Sequence, residues 1–251
     1  MKKSCAKIKF IYKKTLSKIN NIRRSCLLAS QILHVVVRDL RKGKTEQEVA
    51  REIRRLAKTK AEGIAFRPIV AFGRHSAIPH HRATKRRLKI GDTVKIDLGV
   101  KVDGFCSDIT RTFFTSKPTK FQREMYKIVL AAQKLGIRKA RARASGKELD
   151  AVVRDFFEQK GFKKNFIHSL GHGLGQKVHQ APKIGPKSRS TLKVGDVITI
   201  EPGLYFKKRL VRRSPQGVGG FGIRIEDTLL VKKSGTEILT KYPKKISILK
   251  V

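Results

Sequence analysis

The sequence predicts an α+β fold in which helices cover one face of a curved antiparallel sheet, with the arrangement built twice along the chain. Three observations carry this. LKIGDTVKIDLGV (88–100) and LKVGDVITIEPGL (192–204) agree at six of thirteen positions and set Asp97 against Glu201. GFCSDIT (104–110) resembles GFGIRIEDT (220–228), which matches Asp108 with Glu226. Thr45-x-x-Glu48 and Ser145-x-x-Glu148 are capping-box signatures 100 residues apart, so a helix starts at the same place in each half. The halves divide near Pro118, giving pseudo-repeats over 21–118 and 119–251 after a basic segment at 1–20.

Taken in order, apolar residues spaced three and four apart predict helices over 11–42 and 45–60. Short β-rich runs predict strands at 68–73, 93–101 and 105–114. Thr119-x-x-Gln122 opens a third helix running to about 141, and Ser145 caps a fourth ending near 160. Strands return at 165–169, 196–205 and 222–232. Asp103-Gly104 reads as a two-residue hairpin turn, whose central residues both take positive φ. Pairing Val102 with Phe105 then sets Thr110 opposite Asp97 and Gly99 opposite Asp108. Side chains alternate along a strand, so Asp97 and Asp108 become diagonal neighbours on one face, with backbones roughly 7–8 Å apart. Val94, Ile96 and Leu98 face the helices instead. The second half repeats this with Glu201 and Glu226.

Four acids on one crowded face repel, and their pKa values rise unless something cationic sits among them. Lysine and arginine bridges would answer that need, and so would divalent metal ions. The segment HSLGHGLGQKVHQAP (168–182) brings His168, His172 and His179 into a glycine-broken stretch that lets the backbone approach another element. An oxygen-rich set with one imidazole suits manganese, cobalt, iron or zinc rather than a thiolate metal. Cys5, Cys26 and Cys106 are odd in number and lack CxxC spacing, so they read as free thiols.

The charge narrows the function classes. The 251 residues hold 59 Lys plus Arg against 19 Asp plus Glu, a net +40 spread along the whole chain. Such a field favours non-specific contact with RNA or ribosomes. Lys207, Lys208, Arg209, Arg212 and Arg213 form the candidate surface for it. Aromatics for base stacking are few and no RNA-binding signature occurs, which argues against a dedicated nucleic-acid protein. No run of about 18 apolar residues is present to span a membrane, and lysines interrupt the apolar core a secretory signal needs. A cytoplasmic protein is expected.

With these residues in view, the chain resembles, over about residues 20–245, the metallopeptidase family that contains methionine aminopeptidase, aminopeptidase P and prolidase. That family has a duplicated "pita-bread" fold. Its ligand order Asp, Asp, His, Glu, Glu falls on Asp97 (KIDLG), Asp108 (CSDITRTF), His172 (GHGLG), Glu201 (TIEPGLY) and Glu226 (RIEDT). SAIPH (76–80), VHQAP and GIRIED are more similar to aminopeptidase P than to methionine aminopeptidase. So are His168, four residues before His172, and Arg224, two before Glu226. His75 stands where relatives often have Asn, and Gln180 where Glu is common.

The resemblance implies an Xaa-Pro aminopeptidase acting on peptides with a free N-terminus, as a monomer or homodimer, with methionine aminopeptidase as the alternative. It implies two divalent metal ions, Mn2+ foremost, with Co2+, Fe2+ or Zn2+ as substitutes. Glu201 would move the proton of the attacking water, His80 and His179 would bind the oxyanion and substrate backbone, and His168 and Arg224 would line the substrate site. About 20 residues stand where full-length aminopeptidase P has a further domain. A relative repurposed for RNA or ribosome binding would be expected to lose its ligand residues, and all five are present.

Overall fold

The computed structural model describes residues 2–207 and 220–251, with side chains from Ser17 onward. Of the basic surface singled out above, Lys208, Arg209, Arg212 and Arg213 lie outside the described residues, as does the side chain of Cys5. Helix α1 covers Lys2–Arg38, continuous across residue 20; it begins earlier and ends earlier than the expected 11–42. Past its end the chain turns through Gly43 at φ 88°, whose N–H reaches the Leu88 carbonyl at 2.9 Å. Helix α2 (Glu46–Lys60) starts at a complete capping box: Thr45 accepts from the Glu48 amide, and the Glu48 carboxylate accepts from the Thr45 amide.

Both helices pack on a three-stranded sheet made of β2 (Ile69–Phe72), β3 (Thr93–Leu98) and β6 (Ile109–Phe114), ordered β2-β3-β6. The Val94, Ile96 and Leu98 side chains enter this helix-facing core, as their alternation requires. A smaller sheet joins β1 (Gly63–Ile64), β4 (Val100–Val102) and β5 (Phe105–Cys106). The hairpin register is the expected one, Val102 against Phe105 and Asp97 against Thr110. Its turn residues Asp103 and Gly104 both have positive φ, 48° and 77°.

The second half repeats the plan. Helices α3 (Lys120–Lys139) and α4 (Gly146–Gln159) pack against a five-stranded sheet ordered β13-β12-β9-β7-β8. Its strands are β7 (Gly171–Gly173), β8 (Gln180–Ile184), β9 (Val197–Ile200), β12 (Asp227–Val231) and β13 (Thr236–Ile238). A hairpin-like pair, β10 (Gly203–Phe206) and β11 (Phe221–Arg224), lies beside it. The duplication extends to single hydrogen bonds. Arg143, at φ 68°, donates to Leu192 at 2.8 Å where Gly43 donates to Leu88. The Asp196 carboxylate accepts from the Lys193 amide at 2.7 Å, and Asp92 accepts from Lys89 at 3.0 Å.

The halves meet where β6 runs beside β11. Thr112 Oγ1 donates to the Arg224 carbonyl at 2.9 Å and accepts the Arg224 amide at 3.1 Å, and the Glu226 amide donates to the Thr110 carbonyl at 3.2 Å.

Several expected strands are corrected. The run 93–101 breaks at Gly99, 105–114 at Ser107–Asp108, 196–205 at Glu201–Pro202, and 222–232 at Ile225–Glu226. In the last three an acid leaves the ladder, and the continuous β pattern of the sequence hides the break. The strand expected at 165–169 is absent; a 3-10 turn occupies Lys163–Asn165 and the strand is Gly171–Gly173 instead. Its GHG sequence reads as loop, yet glycine is what lets it pair. A Cβ on Gly171 would fall 2.0 Å from the Thr199 carbonyl oxygen. Strands β1, β8 and β13 are too short or too polar to announce themselves. Cys26 and Cys106 are buried free thiols. Among the described residues no helix is long and apolar enough to cross a membrane.

Gly99 sits in a similar vice, its absent Cβ only 2.0 Å from the Ser107 carbonyl oxygen. Gly99→Ala should therefore lower unfolding free energy by about 3 kcal/mol in urea melts; an unchanged midpoint would show that the break between β3 and β4 tolerates a side chain.

Candidate metal centre

The strand interruptions aim the acids inward. One cavity of about 550 Å³ is lined by Asp97, Asp108, His172, Glu201 and Glu226, together with His80, His168, His179 and Arg224. All nine residues singled out in the sequence are thus brought together. Asp97 comes from β3, and Asp108 from the break before β6. His172 is the middle residue of β7. Glu201 and Glu226 stand at the breaks after β9 and β11.

The imidazole of His172 is oriented for ligation. Its Nδ1 donates to the Gly173 carbonyl at 3.1 Å, which leaves the Nε2 lone pair pointing at the acids. That nitrogen is 3.4 Å from Glu201 Oε1 and 3.7 Å from Asp108 Oδ2. Ligand atoms of Asp108, His172 and Glu226 all lie within 4.8 Å of one another. Two hydroxyls steady the glutamates. Thr110 donates to Glu226 Oε2 at 2.6 Å, and Thr199 to Glu201 Oε1 at 3.2 Å.

The electrostatics of this cluster are unbalanced. Burial, and then the mutual repulsion of Glu226, Asp97 and Glu201, raises Asp108 well above the usual carboxylate range. Burial likewise raises Glu226 well above it, and lifts Glu201 to about 7. Among the described residues no lysine or arginine bridges Asp108, Glu201 or Glu226, and the one arginine pairing is Arg224 with Asp97. Asp97 Oδ1 and Asp108 Oδ1 are buried without any hydrogen-bond partner. Orphaned acid oxygens facing an imidazole lone pair fit a divalent cation, which would neutralise the repulsion and take up the unused lone pairs.

Around the acids, burial holds His80, His172 and His179 below the ordinary imidazole range, so they are neutral at pH 7. Desolvation in the cavity wall holds the half-buried His168 down to about 3. Its Nδ1 donates to the Ser169 carbonyl at 2.8 Å, so Nε2 accepts from the Tyr205 hydroxyl, also at 2.8 Å. Arg224 is fully buried and donates to Asp97 Oδ2, Tyr205 Oη (3.1 Å), Thr110 Oγ1 (3.1 Å) and the Pro79 carbonyl (3.1 Å).

Some residues of this centre escaped the sequence reading. Lys95 is wholly buried, and its ammonium donates to the carbonyls of Ser76, Ile78 and Pro79 at 3.0, 2.7 and 3.3 Å. It thereby fixes the segment that ends at His80. Arg111 bonds Asp227 at 2.7 Å and donates to the Glu226 carbonyl, buttressing that ligand from behind. Phe66, Ile69 and Val178 give the cavity an apolar side, and Lys183 joins Arg224 in its lining. A lysine inside a strand of a chain this basic carries no signal of its own. Thr110, by contrast, was legible from its register opposite Asp97.

The pseudo-twofold α+β architecture and a buried Asp-Asp-His-Glu-Glu cluster together define a metallopeptidase of the pita-bread type. The family model for metallopeptidase family M24 matches residues 20–233, and the chain belongs to that family. It is 40% identical over 234 residues to the Xaa-Pro dipeptidase of Pyrococcus furiosus, covering 93% of this chain and 64% of that protein. The crystal structure of the X-Pro aminopeptidase of Thermotoga maritima superimposes with a TM-score of 0.85 at 37% identity, over 93% of this chain and 63% of that one. The Xaa-Pro dipeptidase of Bacillus anthracis gives 0.86 at 36% identity over the same shares. The chain thus spans less than two thirds of the length of these relatives.

Glu201 binds its proton more tightly folded (about 7) than unfolded (about 4.3), so metal-free stability owed to it falls as pH rises between those values. The depressed His168 works in the opposite sense from about 3 to about 6.5, which makes the difference between variants the useful quantity. In chelator, the melting temperature of Glu201→Gln minus that of the unsubstituted chain should increase steadily from about pH 4.5 to 7.5. A flat difference would contradict the raised pKa.

Proposed function

We propose that this chain is a metal-dependent peptidase that cleaves the Xaa-Pro bond at the free N-terminus of short peptides. The observation that carries the reading is the convergence of four carboxylates and one imidazole lone pair, two acid oxygens orphaned, in a single cavity. Asp97, Asp108, His172, Glu201 and Glu226 would hold two divalent cations, manganese foremost, with Co2+, Fe2+ or Zn2+ able to substitute. When bound, these supply the Lewis acidity that polarises the scissile carbonyl and acidifies an attacking water. The names of the relatives, dipeptidases and aminopeptidases for Xaa-Pro substrates, support the proline preference over methionine removal.

The protein's own groups then divide the work. Glu201, at the cavity wall with Oε1 3.4 Å from His172 Nε2, takes the water proton and delivers it to the departing proline nitrogen. His80 and His179, neutral and at the cavity wall, donate N–H bonds to the developing oxyanion and to the substrate backbone. His168, braced by Tyr205, forms the wall beside the proline ring. Arg224 positions Asp97 and, through the Pro79 carbonyl, the residue next to His80. Phe66, Ile69 and Val178 accept apolar side chains.

Glu201→Gln should lower kcat at least about 10²-fold with metal supplied in excess; near-normal turnover would remove it as the proton carrier. Assays with Xaa-Pro-Xaa, Xaa-Pro and Met-Ala-Ser peptides divide the branches, and cleavage of Met-Ala-Ser alone overturns the proline reading. Lys183 offers an ammonium that suits the carboxylate of a dipeptide. Lys183→Met should then raise KM for Xaa-Pro about tenfold while sparing longer, amidated peptides. Equal effects on both would place Lys183 outside substrate recognition.

A further inference from the structure

A second cluster of ligating side chains lies outside the cavity. Glu46, the first residue of α2, is completely buried, and its carboxylate is held by parts of the chain distant in sequence. The Phe72 amide donates to Oε1 at 2.9 Å. The Thr84 amide and hydroxyl donate to Oε2 at 2.9 and 2.7 Å. Two imidazoles complete the group, with His75 Nδ1 at 2.8 Å from Oε1 and His81 Nε2 at 2.9 Å from Oε2. The rings face each other with centroids 4.4 Å apart, and the ligand atoms of all three residues fall within 4.8 Å of one another.

We propose that Glu46, His75 and His81 form a separate binding site for a divalent cation of borderline softness, Zn2+ being the best match. Two imidazoles and a carboxylate are a donor set for zinc rather than for a hard cation such as magnesium. The contacts have the right scale. Ligands about 2.0–2.1 Å from a tetrahedral zinc ion stand about 3.3–3.4 Å apart, so the nitrogen–oxygen separations of 2.8 and 2.9 Å have to open by only about 0.5 Å to admit it. The carboxylate is also fixed beforehand. Three donors unrelated to the histidines hold it, so little side-chain freedom is lost on binding.

Protons balance without a co-reactant. Each neutral imidazole that donates to Glu46 shifts its proton to the other ring nitrogen, Nε2 of His75 and Nδ1 of His81, and presents a lone pair to the cation. The oxygen lone pairs those donors had occupied become free for the same ion. Access exists on one side only, where the His75 side chain is 18% exposed while those of Glu46 and His81 are 0% and 7%. A water completes the coordination from there. The site would staple α2 to the segment 75–84, which carries His80 into the peptidase cavity.

The test uses the full chain, stripped with chelator, re-equilibrated with Zn2+ and washed, with zinc per chain read by atomic emission. His75→Gln/His81→Gln should bind one equivalent fewer than the unsubstituted chain. In an Asp108→Asn/His172→Gln background, which damages the cavity, the equivalent should persist, and adding His75→Gln should abolish it. Zinc should also raise the melting temperature of that background, and His75→Gln alone, at the exposed edge, should remove the increase. Equal zinc content and equal thermal response with and without His75→Gln, in chains of native circular dichroism, overturn the proposal. So does a cavity-damaged chain that binds no zinc.

Discussion

The constraint to which the rest of this fold answers is the burial of four carboxylates around one imidazole. Each desolvated acid costs several kcal/mol unless its charge is met, and acids this close also repel one another. Nothing local stabilises such a grouping, so it must be imposed from outside. The ladder breaks at Ser107–Asp108, Glu201–Pro202 and Ile225–Glu226 turn the acids out of the pleat. Threonine hydroxyls at 110 and 199 orient two of them, and the Gly171 backbone lies hard against Thr199 to bring His172 into range.

In a chain with 59 lysines and arginines, none of the described ones bridges Asp108, Glu201 or Glu226. The nearby cations are committed elsewhere. Lys95 is caged by three carbonyl oxygens and lies 5.0 Å from the Tyr205 ring centroid. Arg111 is divided between Asp227 and the carbonyls of Thr110, Glu226, Tyr242 and Pro243. Among the described lysines and arginines, Arg224 alone bridges a carboxylate of the cluster, and its other donors go to Tyr205, Thr110 and Pro79. Fixed geometry thus keeps these three cations from collapsing onto the acids.

Much of this centre was legible beforehand because it depends on local rules. The Asp103-Gly104 turn admits one register, and that register alone placed Thr110 opposite Asp97. The internal repeat carried the same logic to Glu201 and Glu226. What the sequence concealed were long-range commitments. A continuous β-rich run such as 196–205 gives no sign of the interruption at Pro202, and GHG looks like a loop until β8 and β9 flank it. Buried Lys95 and the Glu46 cluster were invisible for a related reason. Their partners are backbone groups or side chains about 16 to 38 positions away, and charge counting assigns both residues to the surface.

The seam between β6 and β11 gives the duplication a thermodynamic meaning. Asp97 and Asp108 belong to one half, while His172, Glu201 and Glu226 belong to the other. Neither half alone owns a complete ligand set, so any ion they share acts as a crosslink between two otherwise similar folding units. Cation occupancy and cooperativity of unfolding are therefore reciprocal, each strengthening the other.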